Sequence, residues 1–92
     1  MQHNFQSYVA EIEKTHSVIE PHIQNTPLLN SKELDAKLGM HVFCKAENLQ
    51  VTGSFKIRGA LSAISRLTNE QLKKGVLAYS SGNHAQGVAK AA

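Results

Sequence analysis

The sequence predicts an α/β fold in which helices flank an open parallel sheet. Two short runs of apolar or alternating residues, 41–47 (HVFCKAE) and 76–79 (VLAY), are predicted to be strands. A helical pattern over residues 54–67 lies between them. Strand–helix–strand units of this kind pair in parallel with a right-handed crossover. The unbroken apolar run at 76–79 is also typical of a strand buried in a parallel sheet.

The first element is predicted to be a helix over residues 5–20. Pro21 ends it, because proline cannot continue a helix. Residues 21–29 are predicted to be extended, since the Thr26–Pro27 step moves Thr26 out of the helical region. The apolar stripe of this helix recurs at steps of three and four residues and comprises Phe5, Tyr8, Val9, Ile12, His16 and Ile19.

A second, short helix is predicted over residues 31–38. Either Asn30 or Ser31 can cap its first turn. Glu33 stands where it can bond back to Asn30. Gly39 suits the left-handed position that ends many helices.

The predicted strand at 41–47 places alternate side chains on opposite faces. Cys44 shares a face with Val42 and Ala46, and we expect it to be a small core residue. Residues 48–54 follow as a loop, because they contain the turn residues Asn48 and Gly53.

The third helix, residues 54–67, has an apolar stripe, and Arg58 lies on the opposite, polar side. A capping-box pattern at residues 68–71 (TNEQ) starts another short helix that Gly75 closes. Residues 84–92 are helix-forming. Two strands are fewer than the five or six that are usual in such sheets. We therefore expect residues 1–92 to be the incomplete, N-terminal portion of a longer domain.

Composition excludes several classes of function. The formal charge is +3, no basic block is present and there is no Trp, so nucleic-acid binding has little support. No apolar run approaches the ~20 residues of a membrane span. Residues 1–4 do not resemble a secretory signal, and the one cysteine allows no internal disulfide, so we expect a cytoplasmic protein. The five histidines lack metal-ligand spacing, so no metal site is expected.

The chemistry-bearing residues follow the two predicted strands. Ligands of open α/β sheets lie beyond the carboxyl ends of the strands, so the loops 48–54 and 80–84 are expected to meet at one crevice. Lys56 lies in a first helical turn, where the dipole disfavours a cation. A lysine that forms a Schiff base must be neutral before it attacks a carbonyl. A position that disfavours the charged form is therefore consistent with a Schiff-base lysine. The alternative is a solvated surface lysine.

Residues 52–60 (TGSFKIRGA) together with 80–89 (SSGNHAQGVA) resemble the serine/threonine dehydratase and serine racemase family. These are pyridoxal-phosphate (PLP) enzymes of the tryptophan-synthase β-like fold, fold type II. The resemblance extends from about Ile12 to Ala92 and includes residues 25–28 (NTPL) and 45–50 (KAENLQ). The related threonine synthases usually have Asp at the position of Ile57, so Ile57 favours a dehydratase or a racemase.

The resemblance implies a PLP-dependent threonine or serine dehydratase, an ammonia-lyase that yields a 2-oxo acid and ammonia. Serine racemase and a non-catalytic truncated remnant are the alternatives. Lys56 would hold PLP covalently and remove the substrate α-proton. Asn83 would bond the pyridine hydroxyl oxygen, and Phe55 would either pack near the cofactor or be ordinary core. The substrate carboxylate would be held by Ser80, Ser81, Asn83 and His84.

Ser81 has a further role in the racemases that the sequence resembles, where this position is the second acid/base. The family's glycine-rich phosphate loop and the group facing the pyridine nitrogen lie further along, and these 92 residues contain no glycine-rich run. We therefore expect the isolated chain to be inactive and marginally folded. The resemblance also implies a homo-oligomeric complete enzyme with a small hydroxy-amino acid, threonine or serine, as its substrate.

Overall fold

A computed structural model describes residues 4–92. Five helices and two strands follow one another in the order α1, β1, α2, β2, α3, α4, α5. The helices are α1 Phe5–Ile19, α2 Lys32–Leu38, α3 Lys56–Ser65, α4 Asn69–Lys73 and α5 Asn83–Ala91, and the strands are β1 Leu28–Asn30 and β2 Phe43–Lys45. Short 3₁₀ turns occupy Glu20–His22, Glu47–Leu49 and Val51–Gly53.

Local signals fix the helix ends where the sequence predicts them. The Ser31 hydroxyl accepts a hydrogen bond from the Leu34 amide at 3.2 Å, so Ser31 and not Asn30 caps α2. Gly39 ends α2 in the left-handed conformation, with φ 66°. Thr68 and Gln71 form the predicted capping box at the start of α4.

The sheet differs from the prediction. Strands β1 and β2 pair antiparallel, with Leu29 opposite Cys44, and β2 covers only Phe43–Lys45 of the predicted 41–47. Residues 76–79 form no strand, and Leu77 and Tyr79 are fully exposed. The predicted parallel pairing of 41–47 with 76–79 is therefore wrong. A strand needs a hydrogen-bonded neighbour, and no described segment lies beside residues 76–79 to provide one.

The core lies mainly where α3 packs against α5 and α1. Its buried apolar members are Ile19, Ala46, Ile57 and Ala60, and Ile57 has no exposed surface. Both strands are exposed along their length, so the prediction that Cys44 is a core residue is wrong. Of the predicted α1 stripe, only Ile19 is buried.

The molecule is loosely packed for its length. Its radius of gyration is 16.5 Å, whereas a compact domain of this size has a radius near ~12 Å. None of the helices among residues 4–92 is both long enough and apolar enough to cross a membrane.

Candidate active site

Lys56 is the first residue of α3, and a sharply turned segment delivers it there. Thr52 and Gly53 both have positive φ, 66° and 77°, before Ser54 returns to an extended conformation. Glycine adopts positive φ readily. A β-branched residue such as threonine does so only at a cost of about 1–3 kcal/mol. The Thr52 hydroxyl is also buried without a hydrogen-bond partner among the described residues.

The Lys56 side chain is exposed and lies beside an aromatic ring. Its Nζ is 5.4 Å from the centroid of the Phe55 ring, which is within cation–π range. Phe55 is 60% exposed, so it is not ordinary core. No carboxylate of residues 4–92 forms an ion pair with Lys56. The lysine amine is therefore available to a reactant.

A cleft of about 460 Å³ connects Lys56 to the second motif. Phe55, Lys56 and His84 line it, together with apolar side chains of α3 and residues 76–78. The start of α3 and the start of α5 thus contribute to one cleft, where Lys56, Phe55 and His84 are brought together, whereas no residue of the expected loop 48–54 lines it. Ser80, Ser81 and Asn83 are not among its lining residues.

The loop before α5 presents polar groups close to this cleft. The half-buried Ser80 hydroxyl accepts a hydrogen bond from the Gly82 amide at 3.2 Å, whereas Ser81 is exposed. Asn83 is the exposed first residue of α5, and no side chain caps this helix. First-turn amides of an uncapped helix point outward and attract anions such as carboxylates.

Beneath the lysine turn lies a polar network centred on the Glu47 carboxylate. Thr26 Oγ1 donates to Glu47 Oε2 at 2.6 Å, and Gln50 Nε2 donates to the same oxygen at 3.3 Å. Arg58 donates from Nε to Glu47 Oε1 and from a terminal nitrogen to Oε2. Hydrogen bonding from Arg58, aided by Thr26, lowers the pKa of Glu47 to about 2 despite partial burial.

Gln50 extends this network to the chain before β1. Its Oε1 accepts from the Gln24 amide at 2.7 Å, and its Nε2 donates to the Gln24 carbonyl at 2.9 Å. Helical periodicity had placed Arg58 on the polar side of α3 and did not reveal this partnership. The one available signal was that Glu47, Gln50 and Arg58 all lie within the segments that carry the family resemblance.

Comparison with known proteins identifies the family. Residues 19–92 match the model of the pyridoxal-phosphate dependent enzymes. An L-threo-3-hydroxyaspartate ammonia-lyase from Pseudomonas sp. is 57% identical over 74 residues, which are 80% of this chain and 23% of that protein. The catabolic L-threonine dehydratase TdcB of Staphylococcus aureus strain USA300 is 50% identical over 82 residues, which are 88% and 24% of the two chains.

Solved structures agree. Maize serine racemase superimposes with a TM-score of 0.80 at 43% identity, covering 88% of this chain and 26% of that one. A threonine deaminase from T.th. has a TM-score of 0.76 at 52% identity, covering 90% and 29%. These neighbours have the tryptophan-synthase β-like fold, which confirms the predicted fold class.

The chain spans about a quarter of the length of the curated relatives it matches. It matches the family model over most of its own residues, and its structure matches members of the dehydratase and racemase group. The resemblance stated from the two sequence motifs is thereby confirmed. The chain belongs to the family of pyridoxal-phosphate dependent enzymes.

Proposed function

We propose that residues 1–92 form the N-terminal, lysine-bearing portion of a PLP-dependent catalytic domain that releases ammonia from a small hydroxy-amino acid. The observation that carries this proposal is that Lys56 and His84 line one cleft. Each of the two residues belongs to one of the two motif segments, 52–60 and 80–89. The names of two relatives, an L-threo-3-hydroxyaspartate ammonia-lyase and an L-threonine dehydratase, support the reaction class.

The described residues fit PLP. An exposed amine that is free of any carboxylate among residues 4–92 can condense with an aldehyde, and the Phe55 ring beside it offers a flat apolar surface. When bound, PLP supplies the electron sink that makes the substrate α-proton removable. Lys56 would hold it covalently, Phe55 would lie against it, and the Asn83 amide would bond its ring oxygen.

The chain's own residues would then perform two tasks. The Lys56 amine would accept the α-proton of the substrate. The hydroxyls of Ser80 and Ser81, the side chains of Asn83 and His84 and the first-turn amides of α5 hold the substrate carboxylate, because an uncapped helix start favours an anion. The β-hydroxyl would leave as water, and hydrolysis of the released enamine would then yield a 2-oxo acid and ammonia.

The substrate would be an amino acid with a β-hydroxyl group, threonine or serine in the first instance. Racemisation is the second candidate, supported by the similarity to maize serine racemase. It needs a second acid/base on the opposite face of the substrate, and the exposed Ser81 hydroxyl is the group for that role. We further propose a cytoplasmic, homo-oligomeric complete enzyme.

Reductive labelling tests the assignment of Lys56. The complete protein is incubated with PLP, reduced with borohydride and digested, and the modified peptide is identified by mass spectrometry. We expect the label on the peptide containing Lys56 and none in K56A, with K45A as the control that keeps the label. A label on Lys45 or Lys90 instead would refute the assignment.

Product analysis separates the candidate functions. Ammonia and 2-oxo acid are measured with threonine, serine and 3-hydroxyaspartate, and exchange of the α-proton with deuterated solvent is followed in parallel. Ammonia release supports the dehydratase. Formation of the opposite enantiomer of serine without net ammonia release would favour the racemase, provided that the S81A variant no longer forms this enantiomer. A complete protein that neither binds PLP nor turns over any of these amino acids would support a non-catalytic remnant.

A further inference from the structure

Gly87 lies on α5, one helical turn after Asn83, and faces the start of α3. It is the one buried residue of α5. A Cβ atom at this position would stand 3.2 Å from the carbonyl carbon of Lys56 and 3.3 Å from both the Lys56 oxygen and the Ile57 nitrogen. The backbone of α5 therefore rests on the peptide group that joins the site lysine to its neighbour.

A side chain at this position would require the packing of α5 against α3 to shift. Separations of 3.0–3.4 Å are tighter than nine in ten real Cβ contacts, and the atoms concerned are backbone rather than a flexible side-chain end. They belong to the first turn of α3, whose position the buried Ile57 and the Arg58–Glu47 pair hold. An added methyl group must therefore move α5 away from α3 by a few tenths of an ångström.

Movement of α5 changes the site because α5 carries the second motif. Asn83 and His84 form its first turn, and the Ser80–Gly82 loop leads directly into it. The separation between Lys56 and these groups is thus set at Gly87, where the two helices touch. The rate of a catalysed reaction is sensitive to shifts of this size, since a misplacement of the reacting groups by about 1 Å can lower that rate by about 10²-fold.

We propose that Gly87 is a positioning residue whose missing side chain fixes the distance between Lys56 and the 80–84 loop. The role of Gly87 in catalysis rests on the proposed function, whereas its effect on the packing of α5 against α3 does not. The two are therefore measured separately.

Gly59 provides a matched control. It also lies inside a helix, α3, but a Cβ there would meet nothing within 4 Å. Alanine has a higher helix propensity than glycine at both positions. A difference between G87A and G59A therefore reports the contact with Lys56 and Ile57 and not the propensity change.

The first experiment follows amide hydrogen exchange in the complete protein without PLP. We expect exchange in residues 56–58 and 83–86 to be about tenfold faster in G87A than in G59A, while β1 and β2 stay unchanged. The second measures kcat and KM with PLP. We expect kcat to fall about tenfold in G87A relative to the unsubstituted protein. Equal exchange in G87A and G59A, or an unchanged kcat in G87A, would overturn the proposal.

A measurement without substitution covers the case in which G87A does not fold. First-turn amides of a helix have no intrahelical partner and exchange quickly when exposed. The Ile57 amide lies under Gly87, so in the unsubstituted protein it should exchange at least about tenfold more slowly than the Glu33 amide in the exposed first turn of α2. Fast exchange at Ile57 would also overturn the proposal. Absence of borohydride label at Lys56 would instead reject the proposed function and leave the exchange result standing.

Discussion

The carboxylate of Glu47 and the guanidinium of Arg58 form an ion pair that joins the turn after β2 to the first turns of α3. Both side chains are largely shielded, with 13% of Glu47 and 28% of Arg58 exposed. Two Arg58 nitrogens reach both carboxylate oxygens, which is the forked geometry that makes arginine pairs strong. The pair thereby fixes the start of the helix that carries Lys56.

This pair predicts an acid-sensitive contribution to stability. The pKa of Glu47 is lowered from 4.5 to about 2 in the folded state, so its contribution is complete above about pH 4.5 and is lost as the pH falls towards 2. We expect a loss on the order of 2 kcal/mol over that window. Chemical unfolding of the complete protein at several pH values measures it.

Asp35 also has a lowered pKa, chiefly because the Val42 amide and the Asn30 side chain donate hydrogen bonds to it. The E47Q variant separates the two, since it removes only the Glu47 contribution. An equally steep loss of stability below pH 4.5 in E47Q would show that the Glu47–Arg58 pair is not the cause.

Replacing Arg58 tests the forked geometry directly. R58K keeps the charge but replaces the two donor nitrogens of the guanidinium fork by a single ammonium nitrogen. R58A leaves the Glu47 carboxylate without its main hydrogen-bond partner. We expect a destabilisation of about 1 kcal/mol for R58K and about 3 kcal/mol for R58A, measured by denaturant unfolding. R66K serves as control, because the exposed Arg66 side chain donates only to Thr15 among residues 4–92, and it should change stability by less than about 0.5 kcal/mol. Equal effects at positions 58 and 66 would contradict the assignment.

Thr52 is predicted to be stabilised by substitution. T52G removes both the energetic cost of positive φ and the unpartnered hydroxyl. The larger conformational entropy that glycine loses on folding offsets part of this stabilisation. A net stabilisation of about 1 kcal/mol is expected from the change in denaturation midpoint. T68G is the contrasting variant, because it removes a helix cap that is in use and should destabilise. A T52G variant that is less stable than the unsubstituted protein would mean that the Thr52 side chain has a contact worth more than its strain.

The isolated 92-residue chain is predicted to be marginally stable and inactive. Its radius of gyration is 16.5 Å, its buried apolar set is small and Leu77 and Tyr79 are fully exposed. We expect broad thermal unfolding, aggregation, and no ammonia from threonine or serine with added PLP. A cooperative calorimetric transition together with turnover of either amino acid would contradict this expectation.

Sequence reasoning succeeded where a few neighbouring residues decide the outcome. Helix ends depend on hydrogen bonds within one turn, so the residue types alone predict them. This holds for the caps at Ser31 and Thr68 and for the helix end at Gly39. The two motifs around Lys56 and His84 identified the family and placed both residues on one cleft.

It failed where distant segments decide. The pairing of β1 with β2 depends on a register between two short strands that have no marked alternation, and residues 76–79 have the composition of a buried strand without a described neighbour. The partnership of Glu47 with Thr26 joins positions 21 residues apart, and the contact of Gly87 with Lys56 involves a residue with no side chain to signal it.

The exposed run at residues 76–79 bears on the order in which this chain acquires structure during synthesis. The helix caps and α2 involve short sequence separations and can form while translation continues, at about 5–20 residues per second. Leu77 and Tyr79 are fully exposed, so they would remain accessible to chaperones once they leave the ribosome. We therefore expect a stalled ribosome that carries residues 1–92 on a C-terminal linker long enough to clear the exit tunnel to crosslink to a chaperone through residues 76–79.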